Sequence, residues 1–316
     1  MSDVSRSDAR SIDKQIDLDG ELAGGVLPED LFDEFYELVQ NESVLLDEVR
    51  TVDLPRPQMK IPRIGVGERM IRESGERVDN SETEDVTTDT VPMSVTKIDL
   101  KWSLPQEAVE DTIDDVPDIV MEQMSQQFAV DTEELALKGD EAESDPFIGI
   151  EDGWFTLASA RGAPTYSLAD SNGNPQPVSP EKLNEAMRAL EPKYLRDEPA
   201  FLVNTHHVNQ YFGELVDRED GLGVAVIRGE EEHNPFGHDI IASPVFPLDK
   251  AMFTTTDNLI YGLHRDVEVD VLDESDEVFD KDLFAKYAIR ARLDFQIEDE
   301  NAALVMTDIE DPTINA

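Results

Sequence analysis

Five histidines and no cysteine bound the chemistry that this 316-residue chain can perform. Without cysteine there is no disulfide, no thiolate nucleophile and no sulfur ligand for a metal. The adjacent pair His206-His207 is the first candidate for a metal or catalytic site. Consecutive residues on a helix do not face one another, so these imidazoles cannot share one ligand face. No His-Glu-x-x-His pattern or cysteine pair completes a zinc site. The two therefore read as solvated rings at a helix N-terminus. His233 and His238 flank Asn234-Pro235-Phe236-Gly237, a turn sequence that is a second candidate for a metal. Gly65-Val66-Gly67 and Gly221-Leu222-Gly223 lack the strand and helix context, and the lysine, of a phosphate-binding loop. Ser167 and Ser243 lie in no nucleophile elbow. Asp111, Asp114, Asp115 and Asp118 could coordinate a hard cation through oxygen, and a solvated helix face explains the same cluster. The expectation is a chain with no catalytic, cofactor-binding or metal-binding residues, and not an enzyme. A salt-adapted hydrolase using carboxylates is the enzymatic alternative.

Acids dominate the composition. There are 72 Asp and Glu against 26 Lys and Arg, a net charge of -46, and arginine outnumbers lysine 16 to 10. An acidic tail would concentrate these charges in one block. Here they are spread along the chain between regularly spaced apolar residues. Such a surface repels itself in dilute buffer, whereas at about 1 M salt the Debye length falls to ~3 Å and screens it. The composition points to a protein adapted to a saline cytoplasm. No run of Lys and Arg could grip phosphates, which argues against sequence-specific nucleic-acid binding. No stretch of apolar residues is long enough for a membrane helix, and Met1–Gly20 has no signal-peptide core. With 39% apolar residues, the chain can fold two or three sub-domains around a sizeable core.

The elements that must position these residues follow from periodicity. Residues 1–25 are polar and read as an extended arm. Pro28 opens a helical pattern carried by Leu31, Phe32, Phe35, Leu38 and Val39. Pro55, Pro57 and Pro62 make an extended connector. Residues 61–102 read as a long hairpin. Ile61, Ile64 and Val66 lie on its outgoing arm, and Ile98, Leu100 and Trp102 alternate with Lys97, Asp99 and Lys101 on its returning arm. Between them, the polar tip from Arg72 to Thr90 must project into solvent or lie on another molecule. The spacing of Val109, Ile113, Val116, Val120, Met124 and Phe128 predicts a helix over about 105–138, kinked at Pro117 and stopped at Gly139. Residues 160–178 read as irregular. Ser179-Pro180 and Thr205 begin two further helices, with Phe201–Val203 a strand between them. Ile240-Ile241 is another strand. Val267, Val269 and Val271, then Tyr287 to Ile297, alternate as strands near the C-terminus.

This order of elements resembles the major capsid proteins of tailed bacterial and archaeal viruses, a fold that encapsulin compartments and the herpesvirus capsid floor share. The stretches that carry the resemblance are Leu27-Pro28-Glu29-Asp30-Leu31, Ser43-Val44-Leu45-Leu46, Ile61-Pro62-Arg63-Ile64, Lys97 to Trp102, Asp152-Gly153-Trp154, Asn258-Leu259-Ile260-Tyr261-Gly262 and Arg292-Leu293-Asp294-Phe295. It implies an α+β fold divided into an N-terminal arm (1–58), an extended hairpin loop (59–102), a peripheral domain with its spine helix (103–159), an axial domain (160–261) and the peripheral domain's C-terminal strands (262–316). The implied function is that of a major capsid protein of a halophilic archaeal virus, self-assembling into an icosahedral shell around double-stranded DNA. An encapsulin-type compartment shell is the alternative within the same fold.

The implied partners are further copies as hexamers and pentamers, with a portal, scaffold or maturation protease, and decoration proteins. DNA would be enclosed without sequence-specific binding, no membrane is involved, and no cofactor is expected. The place is the virion capsid, assembled in the host cytoplasm. In the family the hairpin lies across the adjacent subunit. Arg69, Arg72 and Arg77, near and within the tip, are the candidate inter-subunit contacts, opposite carboxylates of a neighbour. The tip contains no lysine, so the Lys–Asn cross-link of some members is not expected.

Overall fold

The computed structural model describes residues 43–65, 87–106, 116–216, 235–264, 268–272 and 283–312. The arm, the helix expected at Pro28–Val39, most of the hairpin tip with Arg69, Arg72 and Arg77, and His233 lie outside the described residues. In chain order the main elements are β1 (Arg50–Leu54), β2 (Gln58–Gly65), β3 (Thr87–Ser94), β4 (Thr96–Pro105), α1 (Val116–Lys138), α2 (Trp154–Arg161), β5 (Thr165–Ser167), α3 (Pro180–Ala189), β6 (Ala200–Asn204), α4 (Thr205–Val216), β7 (Ile240–Ser243), β8 (Ala251–Thr254), β9 (Leu259–His264), β10 (Glu268–Leu272), β11 (Leu283–Ile297) and β12 (Leu304–Thr307).

The long C-terminal strand organises the first sheet. Alternation along β11 buries Ala285, Tyr287, Ile289, Ala291, Leu293, Phe295 and Ile297, as a half-buried strand requires. On one side β11 pairs antiparallel with β4, from Leu293 opposite Thr96 to Leu283 opposite Pro105. On the other side it pairs with β9 and then β10, and β1 joins β9 in parallel. The face carrying Leu293, Phe295 and Ile297 packs on Trp154, Leu135 and Ala136 from the two helices. Trp154 meets Phe295 edge-on and Tyr261 stacks on the same ring.

The second sheet runs β5-β12-β8-β6-β7. Its strands β6 and β8 are buried along their whole length, and α3 and α4 contribute Leu183, Ala186, Tyr211 and Leu215 to the core. Ser179 caps α3 by accepting from the Lys182 amide at 3.4 Å, with Pro180 in the first turn, as expected. At α4 the cap is Asn204 rather than Thr205: its Oδ1 accepts the His206 amide at 2.9 Å.

Two local readings change. The outgoing strand β2 pairs with β3, Gln58 opposite Ser94 through Gly65 opposite Thr87. The expected returning arm at Lys97–Trp102 instead joins β11, because its clean alternation suits a half-buried sheet better than a free ribbon. Pro62 and Pro92 sit within the β2–β3 ladder, where a two-stranded ribbon leaves outward edges that need no amide donor. The helix expected over about 105–138 is described from Val116 to Lys138; residues 107–115, on which the kink expected at Pro117 depends, lie outside the described residues. The stretch read as irregular, 160–178, begins in the last turn of α2 and contains β5. Gly139 does stop α1, and the reason is room: a Cβ there would sit 2.2 Å from the Glu151 carbonyl oxygen.

Candidate functional site at the hairpin root

The β2–β3 ribbon stands on the first sheet. Ile61 and Val91, opposite one another, and Met93, opposite Met59, turn inward onto Leu54 and Ile260. Gly262 makes this docking possible, since a Cβ there would lie 2.3 Å from Met93 Cε and 2.9 Å from Leu54 Cδ1. The contact covers the face of the sheet opposite to the one that α1 and α2 cover. A charged clasp adds to it: Arg63 on β2 pairs with Asp299 at 2.7 Å and with Glu300 at 3.5 Å. Arg50 at the start of β1 pairs with Glu298 at 2.7 Å. These ion pairs are partly exposed, so they fix direction more than they stabilise. The polar cleft beside them, lined by Arg63, Tyr194, Arg196, Asp257, Asn258 and Asp299, has a volume of about 790 Å³.

Beneath the turn from β3 to β4 lie two buried carboxylates. Asp294 is 1% exposed; its Oδ2 accepts the Ser94 amide at 2.6 Å and its Oδ1 accepts from Gln296 at 3.1 Å. Burial pushes its carboxyl up to about 6, against the pull of those hydrogen bonds and of Arg161. Glu151 is pushed up to about 7, first by burial, with the charges of Asp294, Glu141 and Asp152 adding to it and a hydrogen bond from Thr96 opposing it. Its Oε2 is buried with no partner among the described residues. A third carboxylate, Glu133, takes the Ser43 hydroxyl at 2.7 Å, and the same Ser43 Oγ accepts the Leu46 amide at 3.0 Å. Ser94 and Thr96 thus tie the hairpin root to acids whose charge depends on pH near neutrality.

The sequence reading missed these three acids. Alternation along β11 puts Asp294 on the same face as Arg290 and Arg292. It is buried because the hairpin covers that face, and the three successive buried residues Leu293, Asp294 and Phe295 break the pattern. Among 72 acids nothing in sequence marks Glu133 or Glu151.

The candidates from sequence scatter. His206 is exposed, but His207 is fully buried, which corrects the reading of two solvated rings. Its Nε2 bonds the Leu248 carbonyl at 2.8 Å. Burial lowers its pKa, opposed by Leu248 and Gln210. His238 bonds the Pro199 carbonyl through Nδ1 at 2.8 Å and sits edge-on to Phe201 and Phe253, so it is part of the second core. Ser167 donates to Asp308 at 2.6 Å on the surface, and Ser243 is buried and accepts the Val245 amide. Asp111, Asp114 and Asp115 lie outside the described residues, and Asp118 lies at the start of α1. Among the described residues no group of three or more His, Asp or Glu is placed to hold a metal, and no helix is long and apolar enough to cross a membrane.

A long ribbon rooted on a two-faced sheet, with a separate helix-flanked sheet beside it, is the architecture of the tailed-phage major capsid fold. Residues 23–308 match the phage capsid family, and the chain belongs to it. It is 25% identical over 301 residues to the putative prophage capsid protein YqbE of Bacillus subtilis (strain 168), covering 89% of this chain and 91% of that protein. A chain of the satellite phage P4 procapsid that includes the size determination protein superposes with a TM-score of 0.68 at 13% identity, over 95% of this chain and 94% of that one. The virus-like particle from Pyrococcus furiosus superposes with a TM-score of 0.54 at 13% identity, over 87% of this chain and 96% of that one. Family membership gives the protein a structural role, as a capsid shell subunit rather than an enzyme.

Proposed function

We propose that this chain is the major capsid protein of a tailed virus infecting a halophilic archaeon, and that its copies close into an icosahedral shell around double-stranded DNA. The match of residues 23–308 to the phage capsid family carries the reading. The halophilic part rests on the net charge of -46, which molar salt would screen. Hexamers and pentamers are the closed rings such a subunit would form, with portal, scaffold or protease, and decoration proteins completing the particle in the host cytoplasm. Within the subunit, 1–58 is the arm, 59–102 the hairpin loop, 103–159 and 262–316 the peripheral domain, and 160–261 the axial domain. Arg69, Arg72 and Arg77 would meet a neighbour's carboxylates, so changing all three to Glu is expected to prevent normal particles.

Sedimentation velocity of the protein in about 3 M salt tests the assembly. Species of many subunits support it, and a single-subunit mass across salt and protein concentration contradicts it. Dialysis into dilute buffer tests the salt adaptation: circular dichroism should report lost structure, and an unchanged spectrum would refute that part. A compartment shell is the second reading, favoured by the shared fold of the Pyrococcus furiosus particle. Packaged DNA in purified particles, as against an enclosed enzyme, separates the two.

A further inference from the structure

The sequence contains no run of basic residues, yet strand pairing assembles a basic face. On the side of β11 that faces away from α1 and α2, the positions beyond the hairpin root are Lys286, Ala288, Arg290 and Arg292. The edge strand β4 sets Ser103, Lys101, Asp99 and Lys97 directly opposite them, in that order. Five of the chain's 26 cations therefore share one face of two strands, with a single acid among them. The third strand, β10, pairs with β11 from Glu268 opposite Arg290 to Leu272 opposite Lys286.

Two features set this face apart from a solvated sheet surface. Lys97 lies directly opposite Arg292, and like charges in cross-strand register destabilise a sheet. With 72 acids in the chain, an acid is the common residue and two facing cations the exception. Asp99 sits among them with its carboxyl held below the usual carboxylate range, first by a hydrogen bond from Lys101 and then by the charges of Lys101, Arg290 and Lys97. Lys286, Arg290 and Arg292 are engaged within the subunit. Lys101 is ion-paired with Asp99, but it and Lys97 are exposed, and they are the charges a partner would meet.

We infer that this face is an interface for the acidic surface of a second copy of the chain, with Lys97 and Lys101 as its outward contacts. Resting on the shell reading above, it names one contact by which copies overcome their mutual repulsion. Charge complementarity selects the partner, because acids outnumber cations 72 to 26 on every copy, and complementary potentials chiefly set register and partner choice. Phe284, 38% exposed at the bulge where β11 leaves β4, adds apolar area, which suits a protein partner better than a nucleic-acid backbone. Asp99 among the cations likewise disfavours phosphate.

The test compares the wild-type chain with Lys97→Glu/Lys101→Glu, and with a charge-matched control, Lys138→Glu/Lys182→Glu, whose sites lie on α1 and α3. Light scattering in high salt reads the subunit concentration at which particles form. The face variant should need at least roughly tenfold more subunit, while the control and Lys97→Arg/Lys101→Arg assemble as wild type does. Lys97→Gln/Lys101→Gln removes charge without adding repulsion and should fall between, so the inference stays testable if the Glu variant does not fold. A folded Glu variant that assembles at the wild-type concentration overturns the inference. So does a wild-type chain whose binding to a DNA duplex, read by fluorescence anisotropy, is lost in the variant while assembly is unchanged. If the wild-type chain forms no particles in any salt, the shell reading itself fails.

Discussion

In the sheet built on β6 and β8, the buried amide side chains find their partners inside the subunit. Asn204 donates to the Pro244 and Phe246 carbonyls at 3.1 and 2.7 Å while capping α4. Asn258 ties the Thr254 hydroxyl to the Asp299 carbonyl. In the sheet built on β11, buried Glu133 and Glu151 each keep an oxygen without a partner among the described residues, and cations gather on an outer face. Among the described residues, the second region keeps only an imidazole nitrogen and an amide oxygen unpartnered on α4, His207 Nδ1 and Gln210 Oε1, whereas the first keeps two carboxylate oxygens. A subunit that folds alone and then meets copies of itself can use both: paired amides give a rigid body, whereas exposed charges on an outer face leave interactions for assembly.

Three substitutions sharpen or break this contrast. Trp154→Ala should have the largest effect, about 3–5 kcal/mol of lost stability, because Trp154 is fully buried where α2 meets β11. Thermal unfolding of the subunit should fall sharply, and a shift of only a degree or two would show that the first core does not hold the fold. Glu151→Gln should follow. The folded chain holds the Glu151 proton up to about pH 7, whereas the unfolded chain releases it near the ordinary value of 4.5. Between those limits the folded state binds more protons, so this group's contribution to stability is complete at acid pH and is lost as pH rises. The variant should thus gain on the wild type between pH 5 and pH 8, by roughly 3 kcal/mol at most. A difference in melting temperature that is constant across that range contradicts the assignment. Asn204→Ala should cost the second sheet about 2 kcal/mol, with no dependence on pH over the same range. A pH-dependent loss there would erase the distinction between the sheets.

How far sequence could reach divides along the same line. β11 was legible because Tyr287, Ile289, Ala291, Leu293, Phe295 and Ile297 recur at every second position, and α3 because Ser179, Pro180, Leu183 and Leu190 state its cap, first turn and buried face. The order of elements also carried the family. The ribbon's true return strand was not legible: β3 contains Pro92 and mostly short polar residues, so the cleaner alternation of β4 drew the pairing to itself. Nor could sequence show that the hairpin buries Asp294, or that His207 turns into the second core, since both are decided by contacts made far along the chain. The basic face was hidden for the same reason. Lys97 and Arg292 become neighbours only through the β4–β11 register.

Negative-stain electron microscopy of the purified protein in about 3 M salt tests the central claim most directly. Closed polyhedral particles, or rings of five and six subunits, are the result expected of a shell protein. Isolated single subunits at every salt and protein concentration would contradict it.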